Sequence, residues 1–92
     1  MALDFEVIYQ QKVVEEDIPQ LTSAWRVKIQ AAIEEKLSSY PDLYGKPLRR
    51  SLKGYRKLRI GDYRVVFRIA GTKVLILAIL HRSVVYKEMG KR

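Results

Sequence analysis

Apolar and polar residues alternate from Leu3 to Tyr9, with Leu3, Phe5 and Val7 on one side, the period of a half-buried strand. Over residues 10–18 the period lengthens. Val13, Val14 and Ile18 fall at helical spacing, and Pro19 is expected to stop this short helix, because proline disfavours helix at the residue before it. Thr22 or Ser23 then caps a longer helix that meets no Gly or Pro before Pro41. Its apolar residues Trp25, Ile29, Ala32, Ile33 and Leu37 recur every three or four positions and make one stripe. Arg26, Lys28, Gln30, Glu34 and Glu35 take the other faces, and the stripe makes Trp25 a core anchor. The short gap between the two helices predicts an antiparallel helix hairpin. Residues 40–51, punctuated by Pro41, Gly45 and Pro47, read as irregular. Three strands follow, at 54–60, 63–69 and 73 to about 80, joined by tight turns at Gly61-Asp62 and Gly71-Thr72. The pattern predicts one α+β domain over residues 1–92: an N-terminal strand, an antiparallel helix hairpin and a three-stranded antiparallel meander.

A two-residue turn at Gly61-Asp62 fixes a register. Ile60 opposes Tyr63, Arg59 opposes Arg64, Leu58 opposes Val65, Lys57 opposes Val66 and Tyr55 opposes Arg68; opposed residues share a face. One face carries Leu58, Ile60, Tyr63, Val65, Phe67 and Ile69, with Arg56 at its far end, and is expected to pack on the helices. The other carries Tyr55, Lys57, Arg59, Arg64, Val66 and Arg68. Continued through the second turn, strict alternation places Leu75, Leu77, Ile79 and His81 on the basic face and Val74, Ile76, Ala78 and Leu80 on the core face. It also places Arg82 on the core face, which is implausible for a charge. A bulge or strand end near His81-Arg82 is therefore expected, returning Arg82 to the basic side. The third strand, apolar on both sides, is expected inside the sheet with the N-terminal strand as its other neighbour.

Charge sharpens the picture. Residues 46–68 hold nine Lys or Arg against one acid, Asp62, which accounts for the entire formal charge of +8. The pI near 9.9 and this clustering point to a polyanion or an acidic protein as partner. Arg59 directly opposite Arg64 is a like-charge pair that weakens a sheet. An anion seated over the face would relieve it. Phosphate contact with interleaved tyrosines suits single-stranded nucleic acid, with Arg49, Arg50, Lys53, Tyr55, Arg56 and Arg68 as further RNA-binding candidates.

The chain has no cysteine and one histidine, so no disulfide, thiolate or multi-histidine metal site is available, and no metal or cofactor is implied. The lack of cysteine fits a reducing cytoplasm. The N-terminus does not read as a signal peptide, and no apolar run approaches the ~20 residues of a membrane span. No phosphate-binding glycine loop or nucleophile elbow occurs. What remains, Lys, Arg, Tyr and His81 near one surface, suits metal-free RNA cleavage by the substrate's own 2′-OH. Cations would stabilise the developing charge. His81, or a Tyr or Lys beside cations, would move the proton.

The segment Leu48-Arg49, then 55–67 (YRKLRIGDYRVVF), then 74–82 (VLILAILHR) through Val85-Tyr86, resembles the RelE/ParE superfamily of type II toxins, and the likeness runs along essentially the whole chain. That resemblance implies a RelE-like, microbial-ribonuclease-like fold and an mRNA endonuclease acting in the ribosomal A site. It matches Arg64 and Arg82 to phosphate-binding arginines, Tyr86 to a C-terminal tyrosine that stacks or assists proton transfer, and Lys57, with Arg59 beside it, to a catalytic strand lysine. His81 precedes the arginine, as in relatives. It further implies a cognate antitoxin, mRNA and the ribosome as partners. ParE-like relatives instead poison DNA gyrase, and a non-catalytic RNA-binding module stands as a further alternative.

Overall fold

The turn at Gly61-Asp62 sets the frame. In the computed structural model, which describes residues 4–48 and 54–92, Gly61 has φ +58°. An added Cβ there would lie 2.6 Å from Cη2 of Trp25, so glycine serves both the turn conformation and the close approach of the indole. From this turn the pairing of β3 (Tyr55–Ile60) with β4 (Tyr63–Ala70) follows the predicted register pair by pair, including Arg59 opposite Arg64. A second turn at Gly71, φ +61°, leads into β5 (Lys73–His81). β1 (Glu6–Tyr9) joins the outer edge of β5 in parallel, completing the expected meander with its N-terminal neighbour.

Two local expectations are corrected by the helices. The first helical run passes through Pro19 and ends at Gln20. Its wide π-type turn Val13–Asp17 tightens into the 3-10 turn Ile18–Gln20. Pro19 is tolerated as the second residue of that 3-10 turn, whose bond runs from the Leu21 N–H to the Ile18 carbonyl and needs no N–H at Pro19. Val14 faces solvent at 52% exposure, while Val13 is fully buried. The second helix follows the prediction: α1 (Ser23–Ala32) is capped by Thr22, whose hydroxyl accepts from the Trp25 N–H at 3.3 Å, and continues as a π-type turn over Ile33–Leu37. Ile29, Ile33 and Leu37 of its stripe pack on Leu58, Ile60, Val65, Phe67, Val74 and Ile76 of the sheet.

Residues 40–47 are more ordered than predicted. They form a short helix α2 (Pro41–Tyr44) and a two-residue edge strand β2 (Lys46–Pro47), which pairs antiparallel with β3 and gives the sheet order β1-β5-β4-β3-β2. Pro47 is allowed on an edge because no further strand needs its N–H. Gly45 lies against the ring of Phe67, where an added Cβ would sit 2.1 Å from Cζ. Phe67 is fully buried and has no room to retreat. Gly45→Ala is therefore expected to lower stability by about 1–3 kcal/mol through overpacking, read as a lower urea midpoint. An unchanged midpoint would show that the ring can move.

The second face of the sheet is not wholly the open basic surface expected. A smaller core of Leu48, Val66, Leu77 and Ala78 is covered by Val85 and Met89 of a C-terminal helix, α3 (Val85–Met89). The bulge predicted near His81-Arg82 occurs earlier. Val66 pairs with Ala78 and Phe67 with Ile76, leaving Leu77 unpaired. Alternation on β5 inverts from that point: Ala78 and Leu80 move to the basic side, and Ile79 and His81 to the helix side. The cause lies on the edge of β5 that β1 leaves open. There the Ile79 N–H donates to Asp17 Oδ2 at 3.0 Å, and the Leu77 carbonyl accepts from Arg92 Nη1 at 3.0 Å. Arg92 also grips both Asp17 oxygens, at 2.7 and 2.9 Å. No helix among the described residues is long and apolar enough to cross a membrane.

Candidate functional site

The inverted alternation after Leu77 builds the site. It brings Arg82 round to the face of Lys57 and Arg64, and these three line one groove with Ser83, Val85 and Tyr86. The Arg82 N–H donates to the Asp62 carbonyl at 2.8 Å, which ties the start of the C-terminal segment to the β3–β4 turn. The Arg82 side chain lies 3.7 Å from the Asp62 carboxylate, with both side chains more than 60% exposed. Such a pair is worth at most about 1 kcal/mol, so it holds Arg82 only loosely. Arg64 Nη1 donates to the carbonyls of Gly61 and Tyr63, at 3.0 and 2.9 Å, which sets its guanidinium against the turn.

α3 supplies Tyr86. Val85 and Met89 anchor the helix in the small core, leaving the Tyr86 ring 39% exposed above β3. Lys57 Nζ donates to Tyr86 Oη at 3.2 Å and lies 5.6 Å from its ring centroid. Lys57, Arg64, Arg82 and Tyr86 thus meet from three elements: β3, β4 and the segment after β5.

The remaining candidates separate from this group. Arg59 lines a neighbouring groove with Lys36, Tyr44 and Lys46, and Lys57 and Arg64 belong to both grooves. His81 is on the opposite face, its ring edge-on to Tyr63 at 5.6 Å, with Tyr63 in turn 4.9 Å from Trp25. Its expected place on the basic face is corrected by the bulge. It bears on the groove through Ser83, whose N–H donates to His81 Nδ1 at 3.2 Å and whose hydroxyl is 2.8 Å from the same nitrogen. Arg56, on the helix side as its register required, has Nη1 donating to the Gly45 carbonyl at 3.2 Å. It props the loop before β2 rather than facing the groove. Tyr55 packs against the small core. Arg68 is exposed at the far end of β4, about 13 Å along the strand from Arg64. Arg49, Arg50 and Lys53 lie outside the described residues.

Sequence reasoning missed Ser83, Lys36, Tyr44 and Lys46. Lys46 stood inside the basic stretch, but without β2 nothing showed that it opposes Lys57. Among the described residues no group of three His, Cys, Asp or Glu is placed to hold a metal. The site is cationic, aromatic and open, able to grip a phosphodiester and move a proton.

Known proteins resemble the chain over most of its length. A family described as the ParE toxin of type II toxin-antitoxin system, parDE, matches residues 4–86. Toxin RelG and toxin RelE of Mycobacterium tuberculosis are each 42% identical to the chain over 66 residues, covering 65% of it and 76% and 68% of their own lengths. The toxin-antitoxin complex RelBE2 from Mycobacterium tuberculosis contains a chain that aligns with TM-score 0.80 at 31% identity, over 88% of this chain and 94% of that one. The isolated E. coli RelE toxin aligns with TM-score 0.67 at 21% identity, over 96% and 97%, a likeness of fold.

Proposed function

The chain belongs to the RelE/ParE superfamily of type II toxins, and we propose that within it the protein is a metal-independent endoribonuclease that cleaves mRNA in the ribosomal A site, held in check by a cognate antitoxin. The observation that carries this reading is the meeting of Lys57, Arg64, Arg82 and Tyr86 at one groove. In the proposed reaction the ribose 2′-oxygen bonds to the adjacent phosphorus, the bond to the 5′-oxygen breaks, and a cyclic phosphate remains. Arg64 and Arg82 hold the phosphate oxygens as charge builds on them, and Lys57 adds a third cation. A phenol that accepts from an ammonium has its own proton to give, so Tyr86 is assigned as donor to the leaving 5′-oxygen. The 2′-OH proton is assigned to the His81 imidazole, reached through the Ser83 hydroxyl.

An acidic antitoxin segment laid over the same face would neutralise it, and the relatives solved as toxin-antitoxin complexes support such a partner.

The test is primer extension on translated mRNA. Codon-phased breaks are expected from the wild type and are expected to weaken about 100-fold or more with Tyr86→Phe, the low end of what acid–base help contributes, and about as much with Arg82→Ala, which removes a cation from the developing charge. Unchanged breaks in both variants would remove the site assignment. The match to the ParE family favours a second reading, poisoning of DNA gyrase. Gyrase-linked DNA breaks with intact mRNA would select it.

A further inference from the structure

A second groove adjoins the one assigned to cleavage, at the open edge of β3. β2 pairs only with Arg56 and Lys57, so among the described residues the edge of β3 away from β4 has no strand beside it from Leu58 onward. Around this gap stand Lys36, Tyr44, Lys46, Lys57, Arg59 and Arg64. They come from the end of the helix hairpin, from α2 and β2, and from β3 and β4. Five are cations and none is an acid. Among the described residues no ion pair involves any of them.

The register makes the charge costly. Lys46 is directly opposite Lys57, and Arg59 is directly opposite Arg64. Two like-charge cross-strand pairs therefore follow one another along β3, on the same face because 57 and 59 are two residues apart. Each weakens the sheet. Lys36 spends its charge on the Tyr44 ring, 5.4 Å from the centroid, for want of a carboxylate. A surface that served only solubility would interleave acids here. A groove that accepts repeated repulsion is one that an anion completes.

The grooves are continuous, since Lys57 and Arg64 line both. Positions 57 and 59 are about 6.6–6.8 Å apart along the strand, the scale of one step between phosphates on an extended polynucleotide. A strand whose phosphate sits at Arg64 and Arg82 would carry its neighbour to Arg59 and the lysines. We infer that this groove, through Lys36, Lys46 and Arg59, seats the RNA phosphate next to the one being cut. The inference rests on the reading of the chain as an RNA-cleaving toxin and specifies how that RNA is held.

The experiment uses uncleavable probes. 2′-O-methyl uridine dinucleotide carries one phosphate and the trinucleotide two, and neither has a 2′-OH to attack. Affinities are measured by NMR titration of the wild type, of Lys36→Gln/Lys46→Gln and of a control, Lys12→Gln/Lys28→Gln, altered away from the groove. The wild type and control are expected to bind the trinucleotide about tenfold more tightly than the dinucleotide, the scale of one hydrogen-bonded charge. The Lys36/Lys46 variant is expected to bind the dinucleotide nearly as well and to lose most of that gain. With longer 2′-O-methyl RNA, its salt dependence is expected to shallow by about 0.7 for the lost phosphate contact. If the variant keeps the full gain, the second seat is wrong while the RNA reading stands. If the wild type binds neither probe, the RNA reading itself fails and the seat falls with it. If the wild type gains nothing from the second phosphate but takes up a hexaglutamate peptide in a Lys36/Lys46-dependent way, the groove is a peptide dock and the proposal is overturned.

Discussion

Lys57→Met is expected to slow the proposed mRNA cleavage by about 10²–10³-fold, the usual cost of removing one preorganised donor from a developing negative charge. It is also expected to leave the protein at least as resistant to urea as the wild type. Lys57 stands where both grooves meet and holds Tyr86 Oη at 3.2 Å. In the proposed reaction its loss removes a cation from the phosphate and the hydrogen bond that poises the phenol. The same change removes one member of the Lys46–Lys57 like-charge pair and keeps an unbranched side chain of similar length on the strand. Activity and stability should therefore move in opposite directions, as they do where a site is built at the fold's expense. Because Lys57 and Tyr86 act as a contacting pair, Lys57→Met combined with Tyr86→Phe should cost much less than the product of the two single losses. Cleavage by Lys57→Met within threefold of wild type would sink the assignment, and a lower urea midpoint would show that Lys57 is needed for folding instead.

The parts of this arrangement legible in the sequence are those set by short-range geometry. Gly61-Asp62 dictated every β3–β4 pair, including the repulsive Arg59–Arg64 contact, because a two-residue turn leaves the register no freedom. The need for a bulge was legible too, since a charge at position 82 has no place in the core. Its position was not. It depends on Asp17 and Arg92, which lie 62 and 15 residues from the backbone groups they bind. Local alternation carries no trace of such partners, so it puts Ala78, Ile79, Leu80 and His81 on the wrong faces. β2 was hidden for a related reason: two residues, one of them proline, make no periodic signal, and only pairing with β3 defines them. The Lys46–Lys57 opposition, and with it the second groove, became visible only in three dimensions. Arg56 shows the converse. Its register placed it on the helix side, and the structure keeps it there, bonded to the Gly45 carbonyl, although its charge alone had suggested RNA contact.

Arg92→Ala is expected to destabilise the protein by about 3–5 kcal/mol, a large share of the total stability of a small domain. Asp17 is 4% exposed, and the Arg92 side chain covers it with only 11% of its own surface reaching solvent. The hydrogen bonds to Asp17 hold the Arg92 guanidinium above its ordinary pKa. Without Arg92 the carboxylate is left buried with the Ile79 N–H, and the Leu77 carbonyl loses its side-chain partner. A buried ion pair can often be exchanged for apolar residues at little cost. Here the pair also satisfies two backbone groups on the edge of β5 beyond the end of β1, so Asp17→Leu/Arg92→Leu should still lose about 1–3 kcal/mol for each group left unpaired. Arg92→Lys, keeping the charge but not the fork that spans both Asp17 oxygens, should fall between wild type and Arg92→Ala. Urea titrations of the four proteins at neutral pH measure these differences. The effect also reaches the site. Arg92 closes the segment that begins at Arg82 and carries Tyr86, and the bulge it supports is what turns Arg82 toward Lys57 and Arg64. Cleavage by Arg92→Ala should therefore fall even at temperatures where the protein remains folded, and Arg92→Lys should restore part of it. Full cleavage by folded Arg92→Ala would mean that α3 holds Tyr86 without the Asp17 clamp.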